Sequence, residues 1–279
     1  GSSMADYRIG FKWWALIIAV VFVISELVCV ACVPERPVAC DEKPGKISDM
    51  FKALFKNDQA MTVVVSIILV YTSLNICGNL VLYFFRFDVG NEGAYSIFAA
   101  VAFAAQVLVM MVIPLLRKRF SKSQLFISGF IIQIAGFAVI LIMAFAKLYT
   151  PQSWYILCLP GILIYLGYGM LNVIMTIFLS DSVDYGEVIN GTREESVIFS
   201  MQTFTVKLAS GVAVFLAGLV VDWIHLDTAA AVQTQDTLDA LRMWMTIPSV
   251  ILLIVGIFVF KRFYKLDDTR MEEIKSKLN

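Results

Sequence analysis

The chain has 279 residues, of which 59% are hydrophobic and only 16% charged, and its mean hydropathy is +0.81. That balance excludes an ordinary soluble globular domain. Its 22 basic and 22 acidic residues cancel, yet they are segregated along the chain, so the zero net charge by itself neither selects nor excludes a partner.

Seven apolar runs reach about 20 residues, the length that crosses a hydrocarbon core as a helix. They are Phe11–Val33, Met61–Phe85, Ala94–Leu116, Gln124–Ala146, Trp154–Leu179, Ser196–Val221 and Leu241–Phe263. Short alternating segments of the barrel type are absent, so helices must satisfy the backbone. The expected fold class is an all-α integral membrane protein with about seven transmembrane helices.

Pro34–Ala60, Leu116–Ser123, Ser180–Glu195 and Lys261–Asn279 hold sixteen of the 22 Lys and Arg residues. By the positive-inside rule these segments are cytoplasmic and the amino-terminal tail is outside. The side alternates correctly through all seven spans. The expected divisions are an outer tail and helix (1–33), a cytoplasmic linker (34–60), a six-helix bundle (61–265) and a cytoplasmic tail (266–279). The chain opens Gly-Ser-Ser-Met, which fits either a tag remnant before Met4 or a cut inside a longer protein.

The first span starts at Phe11-Lys12-Trp13-Trp14, an interfacial aromatic anchor, and carries Glu26 near its inner end. An acid there either snorkels to pair with nearby Lys and Arg or has a function in the membrane. In the linker, Pro34, Pro37, Pro44 and Gly45 break any helix. Ile47, Met50, Phe51, Leu54 and Phe55 then recur at helical spacing behind Ser48, which predicts a short amphipathic helix on the inner surface. The five cysteines (29, 32, 40, 77 and 158) are scattered and read as small packing residues.

The second span has a polar stripe, Tyr71, Asn75 and Asn79 at i, i+4 and i+8. Amides in hydrocarbon need partners, so this face looks into protein or water. Arg86, Asp88 and Glu92 follow in a short outer turn. The Ala94–Leu116 run is rich in alanine, with Gln106 as its strong polar group, and ends in the basic turn Arg117–Lys122. That turn sets topology; it is too short and isolated for a nucleic-acid surface, and no nucleic-acid partner is expected.

Gln124–Ala146, with Gln133 inside it, and Leu241–Phe263, with Thr246, Pro248 and Ser249, read as lipid-facing. By contrast Trp154–Leu179 carries Tyr165, Tyr168, Gly169, Asn172 and Thr176 along one face. Between this span and the next lies an acidic loop, Ser180–Glu195. The Ser196–Val221 helix then presents Ser200, Thr203, Lys207 and Ser210 at i, i+3, i+7 and i+10. An ammonium at bilayer depth costs roughly 2.5–3.5 kcal/mol on insertion scales, so Lys207 must face protein or a wet cavity. Three helices with wet faces make a bundle enclosing a polar cavity.

An intramembrane enzyme needs a nucleophile or a metal set. The single histidine, His225, excludes a histidine-based cluster. Glu194-Glu195 resembles the paired glutamates of membrane prenyl endopeptidases, but the arginine expected four residues later is missing. No enzymatic activity and no resident cofactor are expected. A solute carrier instead requires converging polar stripes, aromatic faces and a long donor such as Lys207, and sugars suit that set.

One block of residues carries a more specific resemblance. Leu179-Ser-Asp-Ser-Val-Asp-Tyr-Gly-Glu187, Arg193-Glu-Glu-Ser196, Ser200-Met-Gln-Thr203 and Lys207 resemble the surroundings of helix eleven in the glycoside–pentoside–hexuronide:cation symporters, the melibiose-permease-like branch of the major facilitator superfamily. Leu54-Phe-Lys-Asn57 and the Arg117–Lys122 turn are similar too. The resemblance covers the whole chain but only the carboxy-terminal part of such a transporter, so the spans correspond to helices 6–12 of a twelve-helix fold.

The resemblance implies symport of a sugar or glycoside with Na+, Li+ or H+ by alternating access in a bacterial cytoplasmic membrane, with the carboxy terminus inside. It implies that Lys207 supports sugar and cation binding, and together with the polar stripes this gives an expected substrate and coupling surface of Lys207, Thr203, Ser200, Gln202, Tyr71, Asn75, Asn79, Tyr165, Asn172 and Thr176. The acidic stretch alone fits a solvated turn or a gate equally. The resemblance favours a cytoplasmic gate of Asp181, Asp184, Glu187 and Arg193, paired with basic residues of an amino-terminal bundle that lies outside this chain. The family's cation-ligating acids are on helices two and four, so the chain supplies part of a site. The alternative is a non-transporting membrane protein or accessory subunit.

Overall fold

The computed structural model describes residues 4–32, 55–191 and 195–278, and every regular element among them is helical. In chain order these are α1 (Met4–Cys32), α2 (Asp58–Tyr83) running into a π-helical turn (Phe84–Asp88), α3 (Ala94–Leu116) and α4 (Lys122–Phe145). A 3-10 turn (Trp154–Leu157) then leads into α5 (Cys158–Asn190), followed by α6 (Glu195–Trp223), α7 (Gln235–Phe263) and α8 (Asp268–Leu278). Seven of the described helices are long and apolar enough to cross a membrane, as the run lengths require.

The chain forms two compact units, Gly1–Gly45 and Lys46–Asn279. Within the first, α1 is exposed on every side from Ile9 to Cys32. The amphipathic segment expected over Ile47–Leu54 lies outside the described residues, as do Cys40 and Arg193.

The second unit is a bundle with α2 and α5 at its centre. α5 packs on α3 and α4, α2 packs on α6 and α7, and α4 closes against α7. Lipid tails are as apolar as leucine, so close packing and buried polar links, rather than exclusion of water, hold such helices together. α4 lies close enough to α5 that a side chain at Gly167 has no space: an added Cβ falls 2.6 Å from the backbone nitrogen of Gln133. Towards the basic end, where Arg117–Lys122 and Lys261–Lys265 gather, Phe126, Phe178, Phe260 and Tyr264 form an aromatic core with ring centroids 4.4–5.2 Å apart.

Caps explain where helices begin. Ser121 and Gln124 form a reciprocal capping box at the start of α4. Asn57 accepts from the Ala60 amide at 2.9 Å and also donates to the Ser182 carbonyl at 2.7 Å, so one side chain starts α2 and ties it to α5.

Two expectations are corrected. Ser180–Glu195 is not a loop up to Asn190: α5 continues through Asp181, Asp184 and Glu187 and stops at Gly191, whose φ of +72° closes the helix in the left-handed region. The i→i−4 ladder is indifferent to side-chain polarity, so an apolar run marks the membrane's edge and not the helix's end. Nor are α4 and α7 lipid-facing all round. α4 buries Phe126, Phe130, Gln133 and Phe137, and α7 buries Arg242, Thr246 and Ser249. α4, apolar but for Gln133, carries little periodic signal to say which face is inside, whereas Arg242, Thr246 and Ser249 recur at i, i+4 and i+7 on the buried face of α7.

Candidate functional site

The polar stripes of α2, α5 and α6 meet. Asn172 on α5 donates to the Tyr71 hydroxyl on α2 at 2.5 Å, and the Tyr168 ring stands edge-on to Tyr71 with centroids 5.5 Å apart. Ser210 on α6 donates to Asn75 Oδ1 on α2 at 3.5 Å. Gln202 on α6 donates to Thr176 Oγ1 on α5 at 3.3 Å. Each link crosses between two helices, so three separate sequence stripes form one surface.

Within that surface the amides are oriented by their own helices. Asn75 Nδ2 donates to the Tyr71 carbonyl and Asn79 Nδ2 to the Asn75 carbonyl, both at 2.7 Å. This uses one of the two donors of each amide and fixes its orientation, leaving the oxygen for another partner. Tyr165 is half-buried, its ring 6.5 Å from Tyr168. Thr176 and Thr203 are exposed and donate back to the Asn172 and Phe199 carbonyls.

Ser200, Thr203 and Lys207 lie exposed along α6. Among the described residues no hydrogen bond or ion pair holds Lys207. The structure therefore presents a fixed aromatic and amide wall on α2 and α5, and beside it a free ammonium on α6. Chemically, such a wall can bond hydroxyls from several directions, and Lys207 can reach either a hydroxyl or a carboxylate.

The comparisons with known proteins speak to the same chemistry. A family described as MFS/sugar transport protein matches residues 2–268. The chain belongs to that sugar-transport family. It is 25% identical over 254 residues to an uncharacterised symporter of Bacillus subtilis, covering 90% of this chain and 54% of that protein. It is 24% identical over 284 residues to the raffinose carrier protein of Pediococcus pentosaceus, covering 99% of this chain and 43% of the carrier. The isoprimeverose transporter of Lactiplantibacillus pentosus is 25% identical over 270 residues, with 96% and 54% covered. The chain thus spans about half the length of these curated relatives. The sugar-transport family is one of carriers and not of enzymes.

Two charge clusters in this sugar-transport bundle are invisible in the sequence. At the basic end Lys122 is buried and ion-paired with Asp181, with Asp268 of α8 at 3.5 Å, and Asp268 also meets Arg117 at 3.3 Å. Asp181, expected in the gate, is thereby committed inside the bundle, while Asp184 and Glu187 stay half-buried on the last turns of α5. Burial pushes the Asp268 carboxyl up, but Lys122 and Arg117 outweigh it and hold the group below its usual range. At the opposite end, Asp88 on the π turn receives Arg242 of α7 through two bonds of 2.5 and 2.9 Å and also accepts from Tyr149. Burial first, and the bond to Asp88 second, raise the Tyr149 hydroxyl far above its ordinary value.

The turn at Arg86–Glu92 is accordingly a clamp as well as a turn. Thr234 accepts from the Thr237 amide at 3.2 Å and starts α7 there, which puts Arg242 two turns inside the helix. Gln133 has no comparable partner among the described residues; its amide is fully buried with neither end bonded.

Proposed function

We propose that the chain forms part of the substrate cavity of a sugar or glycoside:cation symporter working by alternating access. The observation that carries this reading is the single polar surface joining Tyr71, Asn75, Asn172, Thr176, Gln202 and Ser210 across three helices, with Lys207 exposed beside it. A charge of this kind is retained in a membrane only where it meets substrate, ion or a polar partner. The printed names of the raffinose and isoprimeverose carriers support the substrate class. The coupling ion, Na+, Li+ or H+, is held mainly by acids of an amino-terminal bundle joined to this one. Lys207 senses its occupancy through charge.

In this reading Ser200, Thr203, Asn79 and Tyr165 complete the cavity wall. Asp184 and Glu187, with Arg193, form the chain's half of a gate at the basic end, which is the cytoplasmic side. Asp181 instead holds α4 against α5. The exposed flank of α6 is what the partner bundle covers, so the 279-residue chain alone in proteoliposomes gives no uptake.

The deciding experiment joins this chain to an amino-terminal bundle and screens labelled glycosides for uptake with and without sodium. Lys207→Ala then abolishes accumulation while membrane insertion, measured by surface labelling, stays normal. Undiminished accumulation in that variant overturns the role of Lys207.

A further inference from the structure

We infer that Asn57 is a positioning residue for the cytoplasmic gate, a role that rests on the proposed reading of Asp184 and Glu187. Its side chain fastens the last turns of α5, which carry those acids, to the start of α2. Gate and cavity wall then move as one piece.

Asn57 is 3% exposed, and both ends of its amide are in use. The oxygen caps α2 through the Ala60 amide at 2.9 Å, and Nδ2 donates to the Ser182 carbonyl of α5 at 2.7 Å. A carbonyl inside a helix keeps a second lone pair outside the helix's own ladder, and Asn57 fills it. In the interior an unmade hydrogen bond is costly, so neither end leaves its partner freely.

Gly186 shows how close the approach is. A Cβ added there falls 2.8 Å from Asn57 Nδ2, and the amide could yield only by giving up one of its two bonds. Glycine is a poor helix residue, yet Gly186 is buried one turn before the last residue of α5. The room that Asn57 needs accounts for it. Ser182 and Gly186 lie at i and i+4 on one face of the helix, with Asp184 on the opposite face. Fastening α5 therefore leaves the gate face available.

Gln59 extends the anchor. It is fully buried, donates from Nε2 to the Phe263 carbonyl at 3.3 Å and accepts from the Lys265 amide at 2.7 Å. The start of α2 thus holds main-chain atoms at the basic ends of both α5 and α7. α2 and α5 are joined again in the cavity wall, where Asn172 donates to Tyr71. At 1.5 Å per residue, Asn172 and Ser182 are roughly 15 Å apart along α5. With ties at both places, the acidic end of α5 shifts only together with the wall, and a substrate that moves the wall moves the gate.

The test separates the tie from the cap. Asn57→Ser keeps an oxygen for the start of α2 but is too short to reach the Ser182 carbonyl. In the 279-residue chain in lipid nanodiscs, backbone hydrogen exchange over 183–190 is expected to rise about fivefold, the effect of one net hydrogen bond. Exchange over 167–176 stays unchanged. Gly186→Ala raises exchange in the same segment, and the double variant exceeds neither single one, because serine frees the space that the added Cβ takes. With the chain joined to an amino-terminal bundle, Asn57→Ser lowers the maximal rate of glycoside uptake severalfold and leaves the half-saturating concentration unchanged. Unchanged exchange over 183–190, or a rise spread evenly over α5, overturns the tie. A local rise with an unchanged maximal rate overturns the positioning role, and a change in half-saturation alone assigns Asn57 to binding instead. A local rise with no uptake by the unsubstituted joined protein marks failure of the symporter reading, and the positioning role falls with it while the tie stands.

Discussion

At the scale of single residues, the strongest commitment is the pair between Asp88 and Arg242, whose side chains are 3% and 4% exposed. A buried pair gains little over an apolar replacement, yet removing one partner strands the other charge, at a cost of about 3–5 kcal/mol. Arg242→Met is expected to lower thermal stability in detergent by that order. Asp88→Asn together with Arg242→Met recovers most of the loss. If the double variant is no more stable than Arg242→Met alone, the stranded-charge account fails. Lys207 is the opposite case: its charge contributes nothing to holding the bundle, so its replacement should leave the unfolding midpoint unchanged. That contrast separates a structural cation from a functional one where sequence position alone does not.

Asp268 supplies the pH dependence. Its folded carboxyl titrates below the ordinary range because Lys122 and Arg117 outweigh burial. A carboxylate with a depressed folded pKa stabilises fully above its unfolded value, near 3.9, and that stabilisation is lost as pH falls through the folded value. Docking of α8 is therefore constant from neutral pH down to about pH 4 and weakens below it. Protease cleavage within α8 should rise in that acid window, and Asp268→Asn should show the raised cleavage at neutral pH and little further change on acidification.

At the scale of elements, helix ends show what the sequence carries and what it does not. Ser121 with Gln124, Thr234, and Gly191 each sit where the structure starts or stops a helix. The extent of α5 was not legible, because the change from apolar to acidic side chains at Ser180 looks like a helix end although the backbone ladder runs on to Asn190. The buried faces of α4 and α7 were hidden for a related reason. In hydrocarbon, packed and lipid-facing positions have nearly the same polarity, so only Gly129, Gln133 and Gly136 on α4 and Arg242, Thr246, Ser249 and Gly256 on α7 set the buried face apart.

Two ends depart from the glycine rule. α4 and α6 finish with Lys147 and His225 at φ of 49° and 53°. In each, the amide of the next residue reaches back five positions, from Leu148 to the Met143 carbonyl and from Leu226 to the Val221 carbonyl, both at 3.1 Å. The left-handed conformation costs a side-chain-bearing residue about 1 kcal/mol, which glycine avoids. His225→Gly and Lys147→Gly should each raise the unfolding midpoint modestly, with additive effects, since the ends belong to different helices. A drop in either midpoint contradicts the strain.

At the scale of the whole molecule, the polar stripes were legible because a wet face in a membrane helix repeats at 3.6 residues against an apolar background. The structure then joined Tyr71 to Asn172 and Asn75 to Ser210, links across about a hundred residues or more that no single-helix pattern contains. The two ion clusters share this property: Lys122 with Asp181 and Asp88 with Arg242 are ordinary flanking charges until the helices pack.

Those clusters also separate the two ends of the bundle by chemistry, and that carries the last prediction. The end with Arg117–Lys122, Lys261 and Lys265 keeps most of its cations exposed, whereas at the other end Arg242 is enclosed and neutralised by Asp88 and Asp239. Lys and Arg counted in the short segments near the spans already favour the first end strongly, since it includes Arg117, Lys118, Arg119, Lys122, Lys261, Arg262 and Lys265. By the positive-inside rule we propose that the basic end faces the cytoplasm. In a background with the five cysteines replaced by alanine, a cysteine introduced at Lys118 or Lys265 should react with an impermeant maleimide only after the membrane is opened. One at Glu92 or Thr228 should react in intact cells. The reverse pattern would invert the bundle, move the gate proposed at Asp184 and Glu187 to the outside, and leave the charge asymmetry without its assigned cause.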